Sequence, residues 1–281
     1  MTDTKWRIGK AFAKQSKAAR GKRPSARIPF LIGQACCGSV LPEDAALMAA
    51  ASPAFSASSG ALVLDDAGMD EQARSAALSD AAGALREAGR LRHPTGELLE
   101  VRAAKGSPRL ALLDRCAFRR LGLLTLAVRM NGVTPDGRIW TARRSLSKAI
   151  CPGRWDSLAA GLAAASETPV QAMRREAQEE AGLEDGRDYT LAPAFRFFCC
   201  CETEDGWLRE ESFCYTALLQ EGAAPRNQDG EADALQLLDA DQMAELIARG
   251  LVTREASLTM LFWLSEKTGK QLPEGFYQPL A

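Results

Sequence analysis

The chain has 281 residues, a formal net charge of −1 and a single histidine. Apolar and charged residues make up 46% and 25% of it, the balance of a folded globular protein long enough for two cores. Near-zero charge gives no electrostatic ground for a nucleic-acid or membrane-surface partner. No apolar run approaches the roughly 20 residues that cross a bilayer.

The first residues lack the apolar core and cleavage pattern of a secretory signal, and a cytoplasmic location is expected. One histidine, His93, disfavours Ser-His-Asp and Cys-His mechanisms, so acid–base chemistry should rest on carboxylates. The eight cysteines include the contiguous runs Cys36-Cys37 and Cys199-Cys200-Cys201 but no CxxC pair. Neighbouring cysteines rarely bridge each other or share one zinc, which favours reduced, mostly buried thiols over metal or redox use.

Residues 1–27 carry Lys5, Arg7, Lys10, Lys14, Lys17, Arg20, Lys22, Arg23 and Arg27 against the one acid Asp3. This reads as a flexible, solvated tail or frayed helix, with a nucleic-acid arm as the alternative. Residues 28–120 read as a small α+β domain. Short strands are expected at 28–32, 62–64, 98–101 and 110–113, with a helix starting near Pro42 and a longer one over 71–89. No catalytic constellation stands out there.

Residues 121–281 have a different texture. An apolar run at 123–130, the turns at Asn131-Gly132 and Asp136-Gly137, and a resumed strand at 139–142 predict a hairpin. Segments 195–201 and 212–219 predict a second strand pair. Helices are expected over 239–248, with an Asp cap, and over 254–267. Strands interleaved with few helices imply a mixed sheet covered by helices.

Between the strand pairs lies a well-specified helix. Thr168 and Gln171 have capping-box spacing, Pro169 takes the first helical position, and Gly182 supplies a left-handed stop. Val170, Met173, Ala177 and Ala181 form its apolar stripe. Glu176, Glu179 and Glu180 share an arc of roughly 100° beside that stripe. Three like charges so spaced repel. A hard divalent cation offsets that cost, and a solvated acidic face is the bland alternative. Arg175 stands four residues before Glu179, where it can hold that carboxylate, and Glu167 lies beside the helix N-terminus.

From Gly161 through Glu167 and Arg175-Glu176 to Glu179-Glu180 and Gly182-Leu183, the segment resembles the Nudix box G-x5-E-x7-R-E-U-x-E-E-x-G-U. It matches every charged and glycine position, and Ala177 stands where a bulkier aliphatic is usual. The resemblance implies an α/β/α sandwich around a mixed sheet. It also implies hydrolysis of a diphosphate linkage with Mg²⁺, for which Mn²⁺ can substitute. Glu176, Glu179 and Glu180 would hold the metal, Glu176 and Glu179 would lie closest to the chemistry, and Arg175 would orient a glutamate. Gly161 would allow close backbone approach in the substrate loop, with Glu167 supporting. The general base often lies outside the box in this superfamily. Glu231 is the candidate, a turn acid being the other reading.

Arg143, Arg144 and Lys148 follow a strand and precede the box, so they either meet the diphosphate charge or merely end a solvated hairpin. Met130-Asn131-Gly132, the stretch Ile139-Trp140-Thr141-Ala142-Arg143-Arg144-Ser145 and Asp229-Gly230-Glu231-Ala232 are similar to a narrower Nudix subfamily related to thiamin pyrophosphokinase. Its members carry an additional N-terminal domain of unknown function. That likeness implies cleavage of thiamin diphosphate or its oxidised analogues to the monophosphate. Alternatives are a nucleoside diphosphate derivative as substrate, pyrophosphokinase transfer, or a non-catalytic ligand-binding module. A homodimer is compatible with the sequence.

Overall fold

The computed structural model describes residues 2–148 and 150–280. In chain order its first part contains α1 (Thr2–Ala19), β1 (Ile28–Ile32), β2 (Ala35–Val40), α2 (Pro42–Ala51), β3 (Phe55–Ala57) and β4 (Leu62–Leu64). Then come α3 (Glu71–Glu87), β5 (Leu98–Val101) and β6 (Ala111–Asp114). The second part holds β7 (Leu124–Val133), β8 (Ile139–Arg144), β9 (Trp155–Asp156), β10 (Ala159–Leu162) and α4 (Pro169–Ala181). It continues with β11 (Tyr189–Thr203), β12 (Gly206–Leu219), β13 (Ala232–Leu238), α5 (Ala240–Ala248), α6 (Arg254–Thr268) and β14 (Gln278–Pro279).

The second part is built on one mixed sheet in the order β13-β8-β7-β12-β11-β14, with β10 added on β7 and β9 on β8. Strands β7 and β12 run parallel and the other pairs antiparallel. Alternation along each strand separates two apolar faces. Val128 and Met130 of β7 pack with Met173, Ala177 and Ala181 of α4 on one side. On the other, Cys199, Cys201 and Cys214 pack with Leu258, Leu261 and Leu264 of α6 and Met243 of α5. The result is a sheet between helical layers, the α/β/α sandwich that the box implied.

The first part is a small α+β unit, as read from the sequence. Its sheet runs β2-β1-β4-β3, and β5 and β6 form a separate pair. Phe30, Met48, Leu62, Leu78, Leu85 and Leu113 form its core, which Leu121 and Leu123 join. Strand β2, which contains Cys36 and Cys37, was not expected; it pairs antiparallel with β1.

Residues 2–19 correct an expectation. The basic segment is not a flexible tail but an 18-residue helix docked on the second part. Ile8 and Phe12 are one helical turn apart and buried, with Phe12 edge-on to Phe276, whereas Lys10, Lys14 and Lys17 face solvent. Each of those apolar side chains contributes about 1.5–3 kcal/mol on burial, enough to dock a helix whose other faces are charged. Arg7 reinforces the contact through an ion pair with Glu245 of α5.

Candidate active site

Local chemistry positions α4. The Thr168 hydroxyl accepts from the Gln171 amide at 3.3 Å, and the Gln171 side chain accepts from the Thr168 amide at 2.9 Å. Pro169 opens the helix, and Gly182 ends it with φ 65°. Two orphan donors are thereby satisfied, and the helix starts and stops where the capping residues dictate. Ala177 is fully buried against the sheet. A small residue there brings the helix axis close to β7 and β10.

Arg175 organises one end of the site. Its Nε and Nη2 donate to Glu167 Oε1 and Oε2 at 2.8 and 2.9 Å. Its Nη1 donates to Glu176 at 2.8 Å and Glu179 at 3.0 Å, and Nη2 also reaches the Leu162 carbonyl at 3.1 Å. The planar fork suits such multiple recognition in a way an ammonium does not. The hydrogen bonds from Arg175 hold the Glu167 carboxyl below its usual range. Glu167 in turn accepts from the Ala164 amide at 2.9 Å, which closes the loop onto the helix.

Glu176 is pressed against the backbone of β10. A Cβ added to Gly161 would stand 1.9 Å from Glu176 Oε1, so only glycine permits this approach. Burial pushes the Glu176 carboxyl up despite Arg175 beside it. Glu180 accepts from the Ala160 amide at 2.8 Å. Burial, and then the carboxylates of Glu176, Glu231 and Asp156, push Glu180 well above the ordinary range. Glu179 differs: its side chain is 54% exposed and leans on Arg175.

Beyond the helix lies a pocket lined by Arg144, Lys148, Asp156, Glu180, Asp229 and Glu231. Carboxylate oxygens of Glu180, Asp229 and Glu231 lie within 4.8 Å of one another. Burial raises the Glu231 carboxyl, but the Lys148 ion pair and a hydrogen bond with Glu180 outweigh it and leave the net shift downward. The two neighbouring carboxyls are thus pushed in opposite directions, Glu180 up and Glu231 down. The hard carboxylate oxygens gathered at Glu180 suit a divalent cation, which would offset the buried charge.

The structure thus gathers Gly161, Glu167, Glu176 and Glu179 around Arg175. Glu180, Glu231, Arg144 and Lys148 meet beside them, in the pocket. Arg143 does not join them. Successive residues of β8 face opposite ways, so Arg144 enters the pocket and hydrogen-bonds Asp156 at 3.1 Å. Arg143 is exposed and lies 6.0 Å from the centre of the Trp155 ring. Expecting both arginines at one ligand overlooked the period of two.

Asp156 and Asp229 were not singled out from the sequence. Asp156 is buried beside Arg144 and Arg129, which approach at 3.1 and 3.6 Å. Asp229 stands in the same turn as Glu231, two residues away, and that spacing was the available signal. Trp207 is buried in β12 and lines no part of this pocket. Trp140 shares the Arg144 face of β8, and its buried indole N–H has no partner.

Known proteins resemble this chain in two segments. Residues 124–260 match the NUDIX domain, and residues 10–125 match a domain of unknown function, DUF4743. The chain is 31% identical over 180 residues to Nudix hydrolase 20, chloroplastic, of Arabidopsis thaliana, covering 63% of this chain and 48% of that protein. Identity to Nudix hydrolase 24, chloroplastic, of the same plant is 30% over 157 residues, covering 54% and 43%. The chain thus spans about half the length of these curated relatives. A crystal structure from Deinococcus radiodurans is 23% identical and covers 59% of this chain and 97% of its own, with a TM-score of 0.48.

Proposed function

We propose that this chain, which carries a Nudix domain over residues 124–260, is a divalent-metal-dependent hydrolase that cleaves a diphosphate linkage. One observation carries the reading: Glu180 meets Glu231 and Asp229 at the mouth of a pocket whose cations are Arg144 and Lys148. Carboxylates for a metal and cations for phosphate oxygens occupy one cleft.

Glu176 and Glu180 would hold the cation, with Glu179 completing the set from the solvent side. Mg²⁺ is the proposed ion because the donors are all hard oxygens. When bound, the cation supplies Lewis acidity that lowers the pKa of water and offsets phosphate charge. Arg144 and Lys148 meet the diphosphate oxygens, Lys148 exchanging Glu231 for substrate. Glu231, ionised and freed from Lys148, accepts the proton of the attacking water. The new bond forms from water oxygen to phosphorus, and the bond from phosphorus to the bridging oxygen breaks. Arg175 touches none of these atoms and acts by fixing the poses of Glu176 and Glu179.

Thiamin diphosphate or an oxidised analogue is the proposed substrate, and the support is the likeness of segments 130–132, 139–145 and 229–232 to the thiamin-related subfamily. A screen of diphosphate compounds with Mg²⁺, analysed by product, tests this. Thiamin monophosphate plus phosphate supports the proposal. Turnover confined to nucleoside diphosphate derivatives would keep the chemistry and replace the substrate.

A further inference from the structure

A second cluster of ligating groups lies on the opposite face of the sheet. Cys199 and Cys201 are alternate residues of β11 and point the same way, into the layer covered by α6. Glu255, in the first turn of α6, stands over them, with Cys199 Sγ 3.6 Å from its Oε1. The two sulfurs and the carboxylate oxygen all lie within 4.8 Å of one another. Both cysteines are buried, whereas the Glu255 side chain remains 18% exposed. Arg254 donates to Cys201 Sγ and lies 3.9 Å from the Glu255 carboxylate.

We propose that Cys199, Cys201 and Glu255 form a site for a thiophilic divalent cation such as Zn²⁺, clamping β11 to α6 and separate from the carboxylates of α4. Contiguous cysteines alone do not make a zinc site, but here i and i+2 converge while Cys200, between them, faces away. Tetrahedral zinc holds sulfur and oxygen ligands about 3.3–3.8 Å apart, so the cluster needs to contract by no more than about 1.5 Å. Charge also balances. Two thiolates and a carboxylate carry three negative charges, the cation removes two, and Arg254 offsets the third through an N–H···S bond. Water supplies the fourth position, the usual arrangement when the protein provides three ligands. Two protons leave the thiols on binding and no electrons are exchanged.

Titrating Co²⁺ into the metal-free, reduced full chain tests the proposal. Thiolate ligation gives a near-ultraviolet sulfur-to-cobalt charge-transfer band, which the all-oxygen donors of α4 do not. The band is expected at one equivalent and is removed by Zn²⁺. It is lost in Cys201→Ser and needs at least about tenfold more Co²⁺ in Glu255→Gln. It persists in Cys36→Ser and in Glu180→Gln. Glu255→Gln, changed at a partly exposed position, serves as the readout if Cys201→Ser fails to fold by circular dichroism. No band in the wild type, or the same titration in Glu255→Gln as in the wild type, overturns the site.

Discussion

Arg175 grips Glu167 through two parallel hydrogen bonds, Nε to Oε1 at 2.8 Å and Nη2 to Oε2 at 2.9 Å. The residues are eight apart in sequence, one in α4 and the other before its cap, so this pair fixes the entering loop against the helix. The same guanidinium reaches Glu176 and Glu179. Lysine keeps the charge but not the fork. Arg175→Lys should therefore lower kcat by about 10- to 100-fold with the fold retained, as loss of an orienting partner typically does. Steady-state kinetics with circular dichroism checks it, and unchanged kcat would contradict the positioning role.

The Glu167 carboxyl is held below its usual range, chiefly by the hydrogen bonds from Arg175. Folding favours its charged form, so its contribution to stability is present above the unfolded pKa and is lost as pH falls through the lowered folded value. Glu167→Gln is expected to cost about 1–2 kcal/mol at neutral pH, discounted for partial exposure. The gap from wild type should close in acid. Urea denaturation at a series of pH values measures this, and a gap independent of pH would sink the assignment.

Gly161 faces Glu176 so closely that a methyl group would overlap its carboxylate, at 1.9 Å. Gly161→Ala should therefore displace Glu176 or β10, costing about 1–3 kcal/mol in stability as overpacking does. Divalent-metal affinity, read by isothermal titration, should fall with it. Unaltered affinity in the folded variant would show that Glu176 does not bind the ion.

Arg143 and Arg144 are adjacent in β8 yet face opposite sides, and only Arg144 lines the pocket. Arg144→Ala should cost about tenfold or more in kcat/KM, the worth of a charge-assisted contact. Arg143→Ala should change it less than twofold. Equal losses would mean that the pocket is not where the diphosphate lies.

The first part of the chain reaches the loop entering α4. The Ala165 amide donates to the Leu98 carbonyl at 2.8 Å, the Ser166 amide to Glu100 at 3.3 Å, and Arg109 to the Ser166 hydroxyl at 3.1 Å. Ser166 has φ 69°, an unfavourable value for serine that these contacts help hold. Glu100→Ala should cost about 1 kcal/mol globally but speed hydrogen exchange at the amides of 164–167 well beyond that. Uniform acceleration across the chain would argue against a local clamp.

Much of α4 was legible because caps, stripe and charges are local signals within 20 residues. The layer order also followed, since strand and helix periods differ. Helix α1 is harder to read because the basic composition of its segment masks Ile8 and Phe12, the pair one turn apart that docks it. Strand β13 mixes alanine, leucine and polar residues without strict alternation, and it pairs antiparallel with β8. Asp156 and Asp229 reach Glu180 only through the fold, from sites 24 and 49 residues away in the sequence. No short-range pattern encodes that convergence.

The central claim is that carboxylates of α4, Glu180 foremost, hold a divalent cation for diphosphate cleavage. Phosphate release with and without Mg²⁺, compared between wild type and Glu180→Gln, tests it most directly. The account predicts Mg²⁺-dependent release by the wild type and a loss of at least about 100-fold in the folded variant, roughly 3 kcal/mol of transition-state stabilisation. Undiminished turnover in Glu180→Gln, or wild-type turnover indifferent to chelation, would contradict it.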